Sequence, residues 1–166
     1  MASGDTLAVF TPSANVAPIT GTAMVFNLRN GHLVLEATNG TSDGATFASV
    51  MPHNYTAAVG ITALVTWISK TVTSGTIGWD ITFERNSGVS GDDVAADHWA
   101  TAQTITAVAV PGSSGLLSST NVAIAAGATG TANIVAGDAY RLRARRLAGD
   151  TAAGVAQILA IELRET

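Results

Sequence analysis

The sequence predicts an all-β fold, a two-sheet antiparallel sandwich of the jelly-roll type with about eight to ten strands. The clearest sign is the segment 76–85 (TIGWDITFER), in which apolar residues such as Trp79 and Phe83 occupy every second position. A period of two places successive side chains on opposite faces of a strand, so one face meets a core. Turn residues separate many short segments of this kind, and no segment has the period of an amphipathic helix. The length of 166 residues favours a single domain, residues 1–166.

The central strand is predicted at 60–70 (GITALVTWISK), because its apolar side chains fall on both parities. A strand that is apolar on both faces is usually covered on both faces. Residues 73–75 (TSG) supply a turn, so we predict that 57–85 forms two long strands joined by that turn. Trp67 and Trp79 are predicted to lie in the core.

The other strands are predicted from shorter apolar or alternating segments bounded by turn residues, at 23–28, 32–37, 45–51, 103–110, 117–125, 139–147 and 155–163, and residues 6–11 form a further short apolar segment. Asn30 and Gly31 predict a two-residue hairpin turn, because both residues tolerate positive φ. Pro12 and Pro18 punctuate an irregular segment, and residues 1–21 are therefore a candidate extended N-terminal arm. In the last strand, the side chains predicted to point inward are Val155, Leu159, Ile161 and Leu163.

The composition argues against several classes of function. Charged residues make up 12% of the chain, and the net charge of −4 offers no basic surface for nucleic acid. The absence of cysteine excludes disulfides and cysteine-bound metals. The first residues lack the basic region of a signal peptide, and no stretch of about 18 apolar residues predicts a membrane span. We therefore expect neither nucleic acid nor membrane among the partners.

The sequence contains no charged residue between Asp97 and Asp138. One interpretation is a sheet surface made of Thr, Ser and Ala side chains. The other, which we favour narrowly, is that much of this stretch is buried between subunits, where a charge is costly.

Three arginines occupy the outward positions of the predicted strand 139–147, namely Arg141, Arg143 and Arg145. A row of like charges needs counter-charges, and outward positions on other predicted strands hold Asp80, Glu84 and Glu162. An intramolecular ion-pair ladder is the first interpretation. A ladder between subunits is the second, and an anion or polysaccharide site is the third.

No constellation of catalytic or metal-binding residues stands out in the sequence. His32, His53 and His98 are scattered and form no closely spaced pair for zinc. Asp92 and Asp93 lack the spacing of a calcium loop. We therefore predict a protein with no enzymatic activity, metal or cofactor. A cupin-like enzyme, with histidines converging inside the barrel, is the weakest alternative.

Two aromatic residues outside the predicted core, Tyr55 and Trp99, are candidates for a sugar-binding platform. They would form an exposed aromatic cluster if the protein were a glycan-binding module.

Five motifs of strand and turn residues are spread along nearly the whole length of the chain. They are the opening MASGDTLAVFTP, the hairpin RNGHLVLE, the strand W-D-x-x-F-E-R at 79–85, the block A-G-D-A-Y-R-L-R at 136–143 and the closing L-x-I-E-L-R-E-T. These motifs resemble a family of short proteins encoded among the virion structural genes of tailed bacteriophages and prophages.

The resemblance implies a jelly-roll virion component without catalytic residues. The first role it implies is that of a capsid decoration (cement) protein, often a homotrimer, which binds the major capsid protein and stabilises the shell. Such a protein would be made in the host cytoplasm and would lie on the capsid surface of the virion. The alternative is a structural protein associated with tail or fibre, or a glycan-binding jelly-roll module. The residues expected at interfaces are Pro12, Pro18, Trp99, Arg141, Arg143 and Arg145.

Overall fold

A computed structural model describes residues 4–16, 21–39, 43–88 and 95–166. A 3₁₀ helix spans Pro12–Ala14. The strands are β1 (Thr6–Phe10), β2 (Val25–Arg29), β3 (His32–Ala37), β4 (Gly44–Val50), β5 (Ile61–Ser69), β6 (Thr76–Asn86), β7 (Gln103–Ala109), β8 (Leu117–Ile124), β9 (Ala139–Arg146) and β10 (Ala156–Glu165).

The strands form two antiparallel sheets packed as a jelly-roll sandwich, which confirms the predicted fold class. The six-stranded sheet has the order β2-β3-β10-β5-β8, and β1 pairs with the C-terminal half of β10. The four-stranded sheet has the order β4-β9-β6-β7. Every predicted strand is present, with bounds within two residues of those predicted. The hairpin turn is also confirmed, since Asn30 and Gly31 have φ of 47° and 80°.

The core lies between the sheets and is filled by the inward side chains of both. Trp67 of β5 and Trp79 of β6 are fully buried there, as predicted, and their ring centroids lie 6.1 Å apart. Phe83 and Tyr140 pack beside each other with a centroid distance of 5.5 Å. Burial raises the pKa of Tyr140 to about 12, because a phenolate would be poorly solvated in the core.

The segment 57–85 differs from its prediction in one respect. Its two strands, β5 and β6, are not a hairpin: β5 pairs with β10 and β8 in one sheet, and β6 pairs with β7 and β9 in the other. The chain crosses between the sheets after β5, so the apolar faces of both strands meet in the core. Alternation of side chains predicts which face is buried, but it does not identify the neighbouring strand. The predicted central position of β5 in its sheet is confirmed.

A β-bulge changes the inward positions of β10. The register against β5 shifts just after Ile158, and Leu159 is the extra residue. Ile158 is therefore buried in the core, whereas Val155 and Leu159 are only partly buried. A bulge adds one residue to one strand and so moves every later side chain to the opposite parity. The prediction of an inward side chain is thus wrong for Val155 and Leu159, and it is right for Ile161 and Leu163, which follow the bulge.

The described part of the candidate N-terminal arm packs on the sandwich instead of projecting from it. Pro12, an expected interface residue, is buried at the start of the 3₁₀ helix. The Thr46 N–H of β4 donates a hydrogen bond to Asn15 Oδ1 at 3.0 Å, and the Val16 N–H donates to the Thr46 carbonyl at 2.7 Å. The segment thus satisfies its polar groups on β4, and Pro12 has no surface to offer a partner. Pro18 lies outside the described residues.

The uncharged stretch between Asp97 and Asp138 forms one edge of each sheet. β7 is the edge strand of the four-stranded sheet, and β8 is an edge strand of the six-stranded sheet. Many of their side chains are exposed in the single chain. Burial of this surface between subunits stays a prediction.

Candidate functional site

The outer face of the four-stranded sheet carries a ladder of ion pairs between β6 and β9. Asp80 lies opposite Arg145, and Glu84 lies opposite Arg141. Arg145 donates two hydrogen bonds to the Asp80 carboxylate, at 3.1 and 2.8 Å. Arg141 donates its Nε–H to Glu84 and an Nη2–H to Asp97, the latter at 2.9 Å. The predicted intramolecular ladder is confirmed for these two arginines.

The ladder carboxylates on β6 are almost inaccessible to solvent. Glu84 is 1% exposed and Asp80 is 5% exposed. Glu84 also accepts a hydrogen bond from the backbone N–H of His98 at 2.6 Å. These partners matter, because a buried charge that loses its partner costs several kcal/mol. The hydrogen bond to Glu84 in turn raises the pKa of Arg141. Glu162, the third predicted counter-charge, instead pairs with Arg164 on the other sheet.

Arg143 lies between the two paired arginines and differs from both. It is opposite Thr82 on β6 and Thr46 on β4. No ion pair of Arg143 occurs among the described residues, and its Nε and Thr82 Oγ1 are buried without a hydrogen-bond partner there. Burial, and secondarily the charge of Arg145, lowers the pKa of Arg143. The ladder therefore does not extend to the middle of the arginine row.

Trp99 packs against the same arginines. The Cζ atoms of Arg141 and Arg143 lie 4.9 and 4.7 Å from the centroid of its ring, within the range of cation–π contacts. The segment that carries Trp99 is fixed to β6 by backbone hydrogen bonds, one of them from the Ala100 N–H to the Phe83 carbonyl at 2.8 Å. Trp99 is half-buried. We call Arg143, Thr82, Thr46 and Trp99 the Arg143 site.

A second surface lies on the β2–β3 hairpin at the edge of the six-stranded sheet. Phe26 is opposite Leu35 and Leu28 is opposite Leu33, so all four side chains share one face. Leu35 is fully buried, but Phe26, Leu28 and Leu33 are 49%, 68% and 37% exposed. The hairpin therefore carries the core face of its sheet beyond the part that the other sheet covers. We call Phe26, Leu28 and Leu33 the hairpin patch.

The strands at the sheet edges carry almost no charge. β1, β4, β7 and β8 contain no charged residue, and β2 contains only Arg29. The ladder charges lie on β6 and β9, which are interior strands. Natural proteins usually protect exposed edges with charged side chains, because an edge offers unpaired backbone groups to other chains. Charged side chains therefore do not protect the edges formed by β1, β7 and β8, whereas the N-terminal segment covers β4 through hydrogen bonds such as that from the Val16 N–H to the Thr46 carbonyl.

The structure brings together four of the six expected interface residues, Trp99 and the three arginines, on one sheet face. Pro12 is buried elsewhere. Tyr55, the other candidate for a sugar platform, is 5% exposed and donates its hydroxyl to the Val59 carbonyl at 3.0 Å. Its candidacy was wrong because the ring belongs to the core. The Tyr55 N–H also closes a turn by donating to the Pro52 carbonyl at 3.0 Å.

The three histidines do not converge in the structure. Within the four described ranges, no group of three or more metal-ligating side chains could hold a metal ion. Asp92 and Asp93 lie outside those ranges. No helix in the part of the chain that the structure describes is long and apolar enough to cross a bilayer.

Sequence reasoning missed a buried ion pair on the inner face of β9. Arg146 is fully buried and donates to both oxygens of Asp150, at 2.7 and 2.8 Å. Its other N–H groups donate to the carbonyls of Ala37 at 3.1 Å, Ala152 at 2.6 Å and Gly154. The available signal was a charged residue at an inward position of an alternating strand.

No protein-family model matches the sequence, and no curated protein matches it. Among solved structures, the chain is similar to the CBM22-1 and GH10 modules of endo-1,4-β-D-xylanase 10B from Clostridium thermocellum, complexed with xylohexaose. The TM-score is 0.50 at 12% identity, over 97% of this chain and 28% of that one. The chain thus spans less than a third of the xylanase structure, and the likeness concerns the fold.

Two further matches are separate carbohydrate-binding modules. The C-terminal CBM6 of the laminarinase LamC from Zobellia galactanivorans has a TM-score of 0.48 at 12% identity, over 96% of this chain and 99% of that one. The xylan-binding module CBM15 has a TM-score of 0.48 at 15% identity, over 96% and 97%.

Proposed function

We propose that this protein is a non-catalytic structural protein that associates with protein surfaces through its hairpin patch and uncharged sheet edges. The observation that carries the proposal is the exposure of Phe26, Leu28 and Leu33, side by side on one face of an edge hairpin. Contiguous exposed apolar side chains at a sheet edge are typical of association sites.

The chemistry of the hairpin favours contact through side chains over the addition of a further strand. The Leu28 N–H donates to Asn27 Oδ1 at 2.7 Å, so that backbone donor is already satisfied. The Asn27 side chain is itself held by Glu36 at 2.8 Å. The hairpin patch contains no charged residue. Its burial against another apolar surface would therefore remove no charge from water.

The setting that we propose is the virion of a tailed phage, and it rests on the motif resemblance. Two of the motifs meet in the structure, since Arg85 and Asp138 form an ion pair at 2.6 Å and Glu84 pairs with Arg141. Residues of these two motifs thus stabilise the four-stranded sheet. This structural role is consistent with motifs that specify a fold and not an activity. Within the virion, we propose a homotrimeric decoration protein bound to the major capsid protein. A tail or fibre position is the alternative.

Self-association is tested by light scattering on size-exclusion fractions. We expect a stable oligomer for the wild type and a monomer for the double variant Phe26→Ser/Leu28→Ser, because the variant removes most of the hairpin patch. Val135→Ser is the matched control, since Val135 is 42% exposed in the connection between β8 and β9, outside both the hairpin and the edge strands. A wild type that stays monomeric throughout the micromolar range contradicts self-association.

The location is tested on purified virions separated into heads and tails, with mass spectrometry of each fraction. Decoration predicts the protein on heads, and heads that lack it should break at lower temperature. Detection on tails alone would rule out decoration and support the tail alternative.

Glycan binding by the Arg143 site is the second candidate function, favoured by the half-buried Trp99 beside Arg143, an arginine that forms no ion pair within the described residues. An aromatic ring offers an apolar face, and arginine offers donors to sugar oxygens. Xylohexaose is a suitable neutral probe, because the xylanase structure of similar fold contains it. Calorimetric titration should show binding to the wild type and none to Trp99→Ala. Equal binding to both proteins excludes this site.

A further inference from the structure

We infer that the Arg143 site binds the carboxylate of an acidic sugar, an inference that rests on the glycan-binding candidate above. Its first support is the distribution of charge along β9. Arg141 is neutralised by Glu84 and Asp97, and Arg145 is neutralised by Asp80. Among the described residues no carboxylate pairs with Arg143, which sits between them. Arg143 is therefore the arginine of the row whose guanidinium is left without a carboxylate acceptor among the described residues.

The second support is that two buried polar groups beneath the guanidinium surface of the site have no hydrogen-bond partner in the described structure. Thr82 is 1% exposed, yet its hydroxyl has no partner in the described structure, and neither does Arg143 Nε. Buried polar groups are normally hydrogen-bonded, and exceptions call for a specific explanation. Because Arg143 Nε is covered, a ligand would meet the terminal nitrogens of the guanidinium. These can receive a carboxylate as a fork of two parallel hydrogen bonds.

The surroundings of the site favour a single carboxylate on a sugar over a densely charged polyanion. Asp80, Glu84 and Asp97 lie on the same face, and the protein has a net charge of −4. A highly sulfated chain would be repelled by these charges. Trp99, whose ring centroid is 4.7 Å from the Arg143 guanidinium, places an aromatic ring beside any group that this guanidinium would bind. The chemical class is therefore a uronic-acid oligosaccharide.

Calorimetric titration with three probes tests the inference: trigalacturonic acid, xylohexaose and sodium acetate. We expect the wild type to bind trigalacturonic acid at least tenfold more tightly than either other probe. Arg143→Gln should lower that affinity at least tenfold, and Arg143→Lys should also lower it, because an ammonium lacks the planar fork. The matched control is Arg164→Gln, which removes an arginine from the other sheet. It should bind like the wild type.

The outcomes separate this inference from the candidate on which it rests. Equal binding of xylohexaose and trigalacturonic acid, unaffected by Arg143→Gln, overturns the acidic-sugar inference and leaves glycan binding standing. Binding of acetate as tight as that of trigalacturonic acid indicates an anion site alone and also overturns it. If no sugar binds, both ideas fail, and the assembly proposal is unaffected. Thermal melting of each variant shows that the fold is intact.

Discussion

Arg146 and Arg143 lie three residues apart on β9, on opposite faces of the same strand, and their surroundings differ in kind. Arg146 is fully buried, and both a carboxylate and three carbonyls accept its hydrogen bonds. Arg143 is half-buried, with a buried Nε that has no partner in the described structure. A burial cost that is fully compensated indicates a structural role. A cost that is left uncompensated calls for a specific explanation, and the proposed ligand would provide one.

The partners of Arg146 explain why it is structural. Asp150, Ala152 and Gly154 belong to the connection between β9 and β10, whereas Ala37 ends β3 in the other sheet. A single guanidinium therefore shapes a loop and joins the two sheets at one end of the sandwich.

The largest effect is expected from Arg146→Met. The substitution leaves Asp150, whose side chain is 2% exposed, as an unpaired buried charge. Breaking a buried pair in this way costs about 3–5 kcal/mol of unfolding free energy, which urea denaturation would measure. Arg146→Met/Asp150→Leu is the control, because it removes both charges and should regain much of the loss. A cost below about 1 kcal/mol for the single variant would contradict the structural role.

The second prediction compares Arg141 with Arg143. Arg141→Gln deprives the 1% exposed Glu84 of its charged partner, and we expect a loss of about 2–4 kcal/mol. Arg143→Gln breaks no ion pair of the described structure, so its cost should stay below about 1 kcal/mol. Urea denaturation of the two variants side by side measures the difference. Equal losses would mean that Arg143 is as structural as its neighbour and would weaken the binding inference.

The sequence predicted those features that depend on a local pattern of apolar, charged and turn residues. Apolar segments, several of them with period-two alternation, located the strands between turn residues, and the outward arginines and acids predicted the pairing of Arg141 and Arg145 with β6. A local pattern carries this information because burial of one face is a property of each strand by itself.

The remaining features depend on contacts between distant segments. The crossing from β5 to β6, the extra residue Leu159 and the partners of Arg146 are fixed by how the sheets meet. Nothing in the sequence AYRLRARRL distinguishes Arg143 from its neighbours. The distinction arises because the residue opposite it on β6 is Thr82, whereas Asp80 and Glu84 face the other two arginines.

The smallest effect on stability is expected for the exposed ion pair between Glu162 and Arg164. Hydrogen bonds from Arg164, and next from Thr6 at 2.5 Å, lower the pKa of Glu162 from its ordinary value of 4.5. A carboxyl whose pKa is lower in the folded state adds stability above the unfolded-state pKa and loses it as the pH falls through the folded-state pKa. The wild type should therefore be more stable to unfolding than Glu162→Gln near neutral pH, and the two stabilities should become equal in acid.

Because Glu162 and Arg164 are solvent-accessible, the difference at neutral pH should be only a few tenths of a kcal/mol, or about 1 °C in Tm. Thermal melts from about pH 7 to pH 2.5 would measure it. A difference that persists unchanged in acid would mean that the carboxylate charge is not its source. Convergence in acid would show that the carboxylate charge is the source of the difference. Its small size at neutral pH would reflect solvent screening, which the buried pair of Arg146 and Asp150 does not experience to the same extent.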